Sequence, residues 1–121
     1  MAFKVLVVDD EEDIRQIIAK RLNQEGFVVF TAGDGFEGLS LAKREIPSLI
    51  LLDVVMPYCD GFTMLKELQK DEVLRQIPVI MVTAKGHTES IFEGQRLGVT
   101  DYIVKPIDFQ QLLHYIRKYL Y

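Results

Sequence analysis

Five short apolar runs recur along the chain and set the expectation for its fold. They are Phe3–Val8, Phe27–Thr31, Leu49–Leu52, Val79–Val82 and Tyr102–Val104. Most of their residues are valine, isoleucine or leucine, a composition typical of strands that are buried on both faces. The pattern therefore predicts five β-strands.

Amphipathic segments separate these runs. Apolar residues recur at helical spacing at Ile14, Ile17, Ile18 and Leu22, at Leu65 and Leu68, at Ile91 and Leu97, and at Leu112, Leu113 and Ile116. Glycine and proline mark the boundaries, at Gly26, Gly33, Gly35, Pro47, Pro78 and Gly98. Strands that alternate with helices over such short connections require right-handed crossovers. The sequence thus predicts a doubly wound α/β fold, a parallel sheet with helices on both faces.

Composition narrows the class of protein. The 121 residues are 49% hydrophobic and 26% charged, which is ordinary for one globular domain spanning residues 1–121. The net charge of −4 and the lack of a basic run argue against direct nucleic-acid binding. No apolar run approaches the roughly 18 residues of a membrane helix. The single cysteine, Cys59, has no partner for an internal disulfide, so we expect a cytoplasmic protein.

Chemically distinctive side chains follow the apolar runs. In open parallel sheets, ligands bind beyond the carboxyl ends of the strands. The residues there are Asp9, Asp10 and Glu11 after the first run, Asp53 after the third, Thr83 after the fourth and Lys105 after the fifth. Clustered carboxylates repel one another unless a cation neutralises them. Because no histidine or cysteine is nearby, Mg²⁺, or else Mn²⁺, is the expected ion.

The same positions suggest phosphoryl chemistry. Lys105 can pair with a phosphate as a point charge, and the Thr83 hydroxyl can donate a hydrogen bond to it. Asp53 lies centrally among the strand ends and is the best-placed nucleophile. Formation of an acyl phosphate on Asp53 is the chemistry that this arrangement predicts.

Five motifs in the chain resemble those of the receiver domain of two-component response regulators. They are Val7-Val8-Asp9-Asp10-Glu11, Leu51-Leu52-Asp53-Val54-Val55-Met56-Pro57, Asp60-Gly61, Val82-Thr83-Ala84 and Asp101-Tyr102-Ile103-Val104-Lys105-Pro106. The resemblance covers the whole chain, in the family's order and spacing. It implies a flavodoxin-like sheet of strand order 2-1-3-4-5 with five helices.

The resemblance also implies a mechanism. Asp53 would accept a phosphoryl group from a phosphohistidine on a histidine kinase or phosphotransfer protein. Mg²⁺ would be held by the carboxylates of Asp10 and Asp53 and the backbone carbonyl of Val55, with Asp9 acting through water. Such a chain is a signalling switch that catalyses only its own phosphorylation and dephosphorylation.

A switching surface is implied as well. Lys105 would pair with the phosphate, Thr83 would move toward it, Tyr102 would turn inward, and the bond from Lys105 to Pro106 would be cis. The surface presented to a downstream protein would comprise the fourth helix, fifth strand and fifth helix, at His87–Leu97, Thr100–Val104 and Asp108–Leu120. The apolar last helix runs almost to Tyr121, so no output domain is expected within this chain.

Other interpretations of these residues are weaker. Asp9, Asp10 or Asp13 could be N-caps of the first helix, but capping would not account for Asp53, Thr83 and Lys105. A phosphatase of the haloacid-dehalogenase type would need a second aspartate where the chain has Val55. Flavin or nucleotide binding would need a glycine-rich turn after the first strand. A receiver-like interaction module that is never phosphorylated is the main alternative, and the intact acidic pair argues against it.

Overall fold

A five-stranded parallel sheet forms the centre of the molecule. The computed structural model describes residues 2–56, 59–84 and 93–121. The strands are β1 (Lys4–Val8), β2 (Val28–Ala32), β3 (Leu49–Asp53), β4 (Val79–Thr83) and β5 (Asp101–Val104). Their order in the sheet is β2-β1-β3-β4-β5, and every pair is parallel. The predicted flavodoxin-like fold is confirmed.

Helices connect the strands. They are α1 (Glu12–Gln24), α2 (Gly35–Glu45), α3 (Gly61–Gln69), the helical residues 93–96, called α4, and α5 (Phe109–Leu120). The sequence predicted a fourth helix over His87–Leu97, of which residues 87–92 lie outside the described residues, as does Pro57 of the third motif. None of the described helices has the length and apolar run needed to cross a bilayer.

Two details differ from the sequence prediction. Asp53 and Thr83 are the last residues of β3 and β4 rather than the first residues after them, because backbone pairing continues past the apolar run. A short 3₁₀ helix, Leu74–Gln76, also precedes β4. Asp71 stabilises its start by accepting hydrogen bonds from the backbone amides of Val73 and Leu74. An isolated 3₁₀ turn of this length leaves no hydrophobic period in the sequence.

Alternating side chains divide the core into two layers, one on each face of the sheet. One layer joins Val5, Val7, Leu49, Leu51, Ile80 and Val82 to α1 and α5, chiefly through Ile18, Leu22, Leu112 and Ile116. The other joins Leu6, Val8, Ile50, Leu52 and Met81 to α2 and α3, chiefly through Ala42, Met64, Leu65 and Leu68. The three central strands are therefore enclosed on both sides, and their carboxyl ends are held rigidly at one edge.

Candidate functional site

Three carboxylates meet at the carboxyl edge of the sheet. Asp9 and Asp10 follow β1, Asp53 ends β3, and these strands are neighbours. One carboxylate oxygen from each residue lies within 4.8 Å of the others. Asp9 and Asp53 are buried, whereas Asp10 is exposed. The structure thus brings together Asp9, Asp10 and Asp53, the three aspartates that the sequence placed at the strand ends.

Lys105 supplies the positive charge at this edge. Its Nζ lies 3.2 Å from Oδ2 of Asp53 and 3.8 Å from Oε1 of Glu11. The Lys105 backbone amide donates to the carbonyl of Thr83 at 2.7 Å, which fixes the start of the loop after β5 against the end of β4. The peptide bond between Lys105 and Pro106 is cis. Lys105 therefore reaches Asp53 from across β4.

The electrostatics favour a bound cation. Burial, and then the nearby charge of Asp9, raise the pKa of Asp53 to about 6, although Lys105 and the Val55 backbone amide oppose this. Burial also raises the pKa of Asp9. Burial disfavours the Lys105 ammonium, but the combined attraction of Asp53, Asp9 and Glu11 outweighs it and raises the Lys105 pKa. Among the described residues, the two buried carboxylates of Asp9 and Asp53 share the ammonium of Lys105, which compensates their negative charge only in part.

The donor set fits a hard divalent ion. The cluster offers carboxylate oxygens alone, and Mg²⁺ prefers oxygen ligands, taking one or two carboxylates and completing its shell with water. The exposed Asp10 leaves the cluster open to solvent on one side. Val55 adjoins the cluster, since its backbone amide interacts with the Asp53 carboxylate. Its apolar side chain is 66% exposed and offers no ligand atom.

Thr83 adds a buried hydroxyl at the end of β4. Its side chain is 2% exposed, and within the described part of the chain Oγ1 has no hydrogen-bond partner. Nearly all buried polar groups in folded proteins are hydrogen-bonded, so an unpartnered one calls for an explanation. An oxyanion bound beyond the strand ends would supply the missing acceptor.

Helix capping does not account for the aspartates after β1. The N-cap of α1 is Glu11, whose side chain makes no capping hydrogen bond. Asp9 instead accepts a hydrogen bond from the Glu11 backbone amide at 2.9 Å, which holds the loop after β1 close to the sheet. Its remaining carboxylate oxygen is available to the cluster.

Comparison with known proteins settles the family. The sequence pattern of the response regulator receiver domain matches residues 5–117. The chain belongs to this family. Receiver domains are the signal-accepting modules of two-component signal transduction, so this chain is a component of a signalling switch rather than a metabolic enzyme.

Individual relatives agree with this assignment. The receiver is 43% identical to a probable transcriptional regulator, ycf27, of Guillardia theta and 37% identical to the DNA-binding dual master transcriptional regulator RpaA of a Synechocystis strain, covering 97% of this chain in both. It spans 45% and 48% of their lengths. The crystal structure of the chemotaxis protein CheY4 of Vibrio cholerae matches with a TM-score of 0.93 and 34% identity, over 99% of this chain and all of the other.

Two residues of the receiver site escaped the sequence prediction. A Cβ atom at Gly61 would collide with the backbone carbonyl of Asp53 and lie 3.0 Å from Cα of Val54, so glycine allows α3 to begin directly against the end of β3. The Asp60-Gly61 motif was the available signal. Arg15 donates from Nη1 to the backbone carbonyl of Asp9 at 2.7 Å, a contact that no spacing in the sequence indicates.

An apolar groove of about 500 Å³ lies beside Lys105 in the receiver. Ile14 and Ile17 of α1 line one side, and Pro106, Ile107 and Phe109 line the other. Ile17, which the sequence placed among the apolar positions of the first helix, is 58% exposed in this groove.

Tyr102 lies apart from the acidic cluster. It pairs with Met81 in the sheet and points toward the core layer on the α2 and α3 side. The ring lies against Gly94 of α4, and burial raises the pKa of its hydroxyl. The structure therefore places this predicted switch residue between the sheet edge and α4.

Proposed function

We propose that this receiver accepts a phosphoryl group on Asp53 from a phosphohistidine of a histidine kinase or phosphotransfer protein, in a Mg²⁺-dependent reaction. The observation that carries the proposal is the set of groups around the buried carboxylate of Asp53. Asp9 and Asp10 lie on one side, the Lys105 ammonium lies at 3.2 Å, and Thr83 contributes a hydroxyl that has no partner in the described part of the chain. A structural ion pair would not need the two further aspartates.

In the transfer, an oxygen of the ionised Asp53 carboxylate attacks phosphorus. A P–O bond forms as the P–N bond breaks, and its electron pair returns to the imidazole nitrogen of the donor. With a pKa of about 6, Asp53 is mostly ionised at neutral pH and can act as the nucleophile. Lys105 pairs with the phosphoryl oxygens as charge develops on them.

Asp10, Asp53 and the Val55 carbonyl would hold the Mg²⁺, with Asp9 contributing through water. When bound, the ion supplies charge neutralisation for the phosphoryl oxygens. The residues themselves fix the geometry, because Asp9 is tied to the Glu11 amide and Asp53 to the rigid end of β3. Mn²⁺ meets the same preference for oxygen ligands.

The phosphoryl group would then act on the surface formed by α4, β5 and α5. The Thr83 hydroxyl donates to a phosphoryl oxygen, and Tyr102 responds on the neighbouring strand. A hydrogen bond to a charged group contributes about 1.5–3 kcal/mol. This matches the roughly 1–3 kcal/mol of a typical allosteric coupling. β5 is the sheet edge next to β4, so a change at Thr83 reaches the surface through one pair of strands.

The apolar groove beside Lys105 is the proposed contact for the phosphodonor protein. Asp53 is 3% exposed, so a donor histidine can reach it only if the donor packs closely against the rim of the site. Ile17 and the Pro106 to Phe109 loop provide exposed apolar surface beside that rim. A downstream protein would bind the surface formed by α4, β5 and α5.

Intact-mass measurement tests the proposal. The purified chain is incubated with Mg²⁺ and a small phosphodonor, and a mass gain of one phosphoryl group is expected. The gain should disappear without divalent cation and in Asp53→Asn. An unmodified mass, or a gain that survives Asp53→Asn, would refute phosphorylation of Asp53.

A further inference from the structure

A close packing contact joins β5 to α4. Gly94 is buried, and a Cβ atom built on it would lie 3.0 Å from Cε1 and 3.1 Å from Cζ of Tyr102, and closer still to the hydroxyl oxygen. The contact with the hydroxyl oxygen is closer than real Cβ atoms show, and the two ring-carbon contacts are tighter than most, so the side chain of Tyr102 would have to shift. The ring of Tyr102 thus occupies the space that a side chain at position 94 would need.

The backbone on both sides of this contact is anchored. The Gly94 carbonyl accepts hydrogen bonds from the amides of Leu97 and Val99, which fixes the end of α4. Val79 and Thr100 then exchange two hydrogen bonds, at 2.9 Å each, which tie the connection to the sheet. A shift of the helix would strain all of these bonds. Rotation of the Tyr102 side chain is the easier response to a larger residue at position 94.

β5 itself is held from the opposite face. Asp101 accepts a hydrogen bond from the Tyr102 backbone amide at 2.8 Å and another from the Tyr119 hydroxyl of α5 at 2.5 Å. Alternation along the strand directs Asp101 toward α5 and Tyr102 toward α4. The backbone of Tyr102 is therefore held from the α5 side, while its hydroxyl interacts with the backbone of Gln95 in α4, so the side chain spans the space between β5 and α4.

We propose that Gly94 is a positioning residue for Tyr102: because glycine has no side chain, it leaves the space in which the Tyr102 ring lies against α4. A side chain at position 94 turns the ring outward and changes the surface of β5. The relevance of this ring position to switching rests on the proposed function.

The sign of a stability change gives the first test. Alanine is a better helix former than glycine, so Gly94→Ala would stabilise α4 if the space beside it were open. We expect the reverse, an unfolding equilibrium constant about tenfold larger, as overpacking of a core produces. In Tyr102→Leu, which lacks the atoms nearest to Gly94, the same substitution should be neutral or stabilising. Gln95→Ala, at an exposed position on the same helix, is the matched control.

The second readout is specific to the ring. In protein labelled with ¹³C in the tyrosine rings, Gly94→Ala should move the Tyr102 signals toward those of a solvent-exposed tyrosine and lower the pKa of its hydroxyl. Gln95→Ala should leave both unchanged. Gly94→Ala that stabilises the protein, that costs equally in the presence and absence of the Tyr102 ring, or that leaves the Tyr102 signals in place would overturn the proposal.

Folding failure is also informative. If Gly94→Ala does not fold, Gly94→Ala combined with Tyr102→Leu should restore folding, and its failure to do so would overturn the proposal. These measurements need no phosphodonor, so they are independent of phosphoryl uptake at Asp53. With phosphodonor and Mg²⁺ added, the backbone amide signals of Thr100–Val104 should change less in Gly94→Ala than in the unsubstituted receiver.

Discussion

The two ends of the sheet are built on different principles. At the amino end, polar groups are paired: Lys4 and Ser48 exchange hydrogen bonds through the Lys4 amide and carbonyl, and Val79 and Thr100 do the same. At the carboxyl end, two buried carboxylates have raised pKa values, and the Thr83 hydroxyl finds no hydrogen-bond partner among the described residues. The amino end is satisfied as it stands. At the carboxyl end, packing alone leaves buried polar groups uncompensated, as functional sites commonly do.

The largest difference between the two ends is expected for lysine substitutions and their effect on the rate of phosphorylation. Lys105→Met removes the charge that faces Asp53, and we expect phosphorylation by a small phosphodonor to slow by about 100-fold, typical for loss of one stabiliser of developing charge. Lys4→Met removes a partly exposed ion pair with Glu45 and should leave the rate unchanged. Rates come from intact mass against time. Equal rates for both variants would contradict the assigned role of Lys105.

Lowering the pH should change the stability contributions of carboxylates at the two ends in opposite directions. The folded pKa of Asp53, about 6, exceeds its ordinary 3.8, so its contribution to stability is full below about pH 4 and is lost as pH rises through 6. Without divalent ions, the unfolding free energy of the unsubstituted chain, taken relative to Asp53→Asn, should fall by about 2 kcal/mol between pH 4 and pH 7.

Asp71, near the amino end of β4, is the matched control for that pH series. Hydrogen bonds from the amides of Leu74 and Val73 lower its pKa. Its contribution is therefore present above the ordinary pKa and is lost as pH falls through the lowered value. Urea unfolding across the pH range, with Asp71→Asn beside Asp53→Asn, measures both. The same sign for the two residues would show that the ends do not differ as described.

Threonine-to-valine substitutions should also change the stability of the protein differently at the two ends. Thr83→Val replaces an unpartnered buried hydroxyl with a methyl group of similar size and should leave stability unchanged or raise it by about 1 kcal/mol. Thr100→Val removes the acceptor of the Val79 amide and should lower stability by about 1 kcal/mol. Chemical denaturation measures both. A loss at Thr83 equal to that at Thr100 would mean that the Thr83 hydroxyl is already satisfied.

The smallest effect is expected at the rim of the site. Ile17→Ser should slow phosphoryl transfer from a phosphohistidine-bearing protein by about threefold, because one exposed apolar contact is lost. Transfer from a small phosphodonor should not change. Val28→Ser, at an exposed apolar residue of β2, is the control for surface substitution. If the reaction with both donors were slower, the substitution would be affecting the reaction at Asp53 itself, and the proposed contact of Ile17 with the donor protein would be contradicted.

The sheet and the acidic cluster could be predicted from the sequence because both leave periodic or positional signals in it. Buried strands appear as apolar runs, and parallel topology brings their carboxyl ends together, so Asp9, Asp10, Asp53 and Lys105 could be grouped before any coordinates were known. Contacts of backbone with side chain leave no such signal. The Arg15 bond to the Asp9 carbonyl and the fit of Gly94 against Tyr102 depend on interatomic distances that packing sets to within about a few tenths of an ångström.

The hydrophobic pattern also did not predict where the strands end. Asp53 and Thr83 belong to β3 and β4 because their backbones pair with Val82 and Val104, although their side chains are polar. Hydrophobicity describes side chains, whereas strand length is decided by the backbone ladder. Both residues are therefore held more rigidly than loop residues would be.

The strand order has a consequence for the design of sensors. β4 alone separates Asp53 from the edge strand β5, a lateral distance of about 10 Å at ordinary strand spacing. The backbone of Val104, which is 42% exposed and pairs with Thr83, lies about that far from the backbone of Asp53, so an environment-sensitive dye can be attached there. The fold thus offers an optical reporter position that is close to the acidic cluster yet outside it.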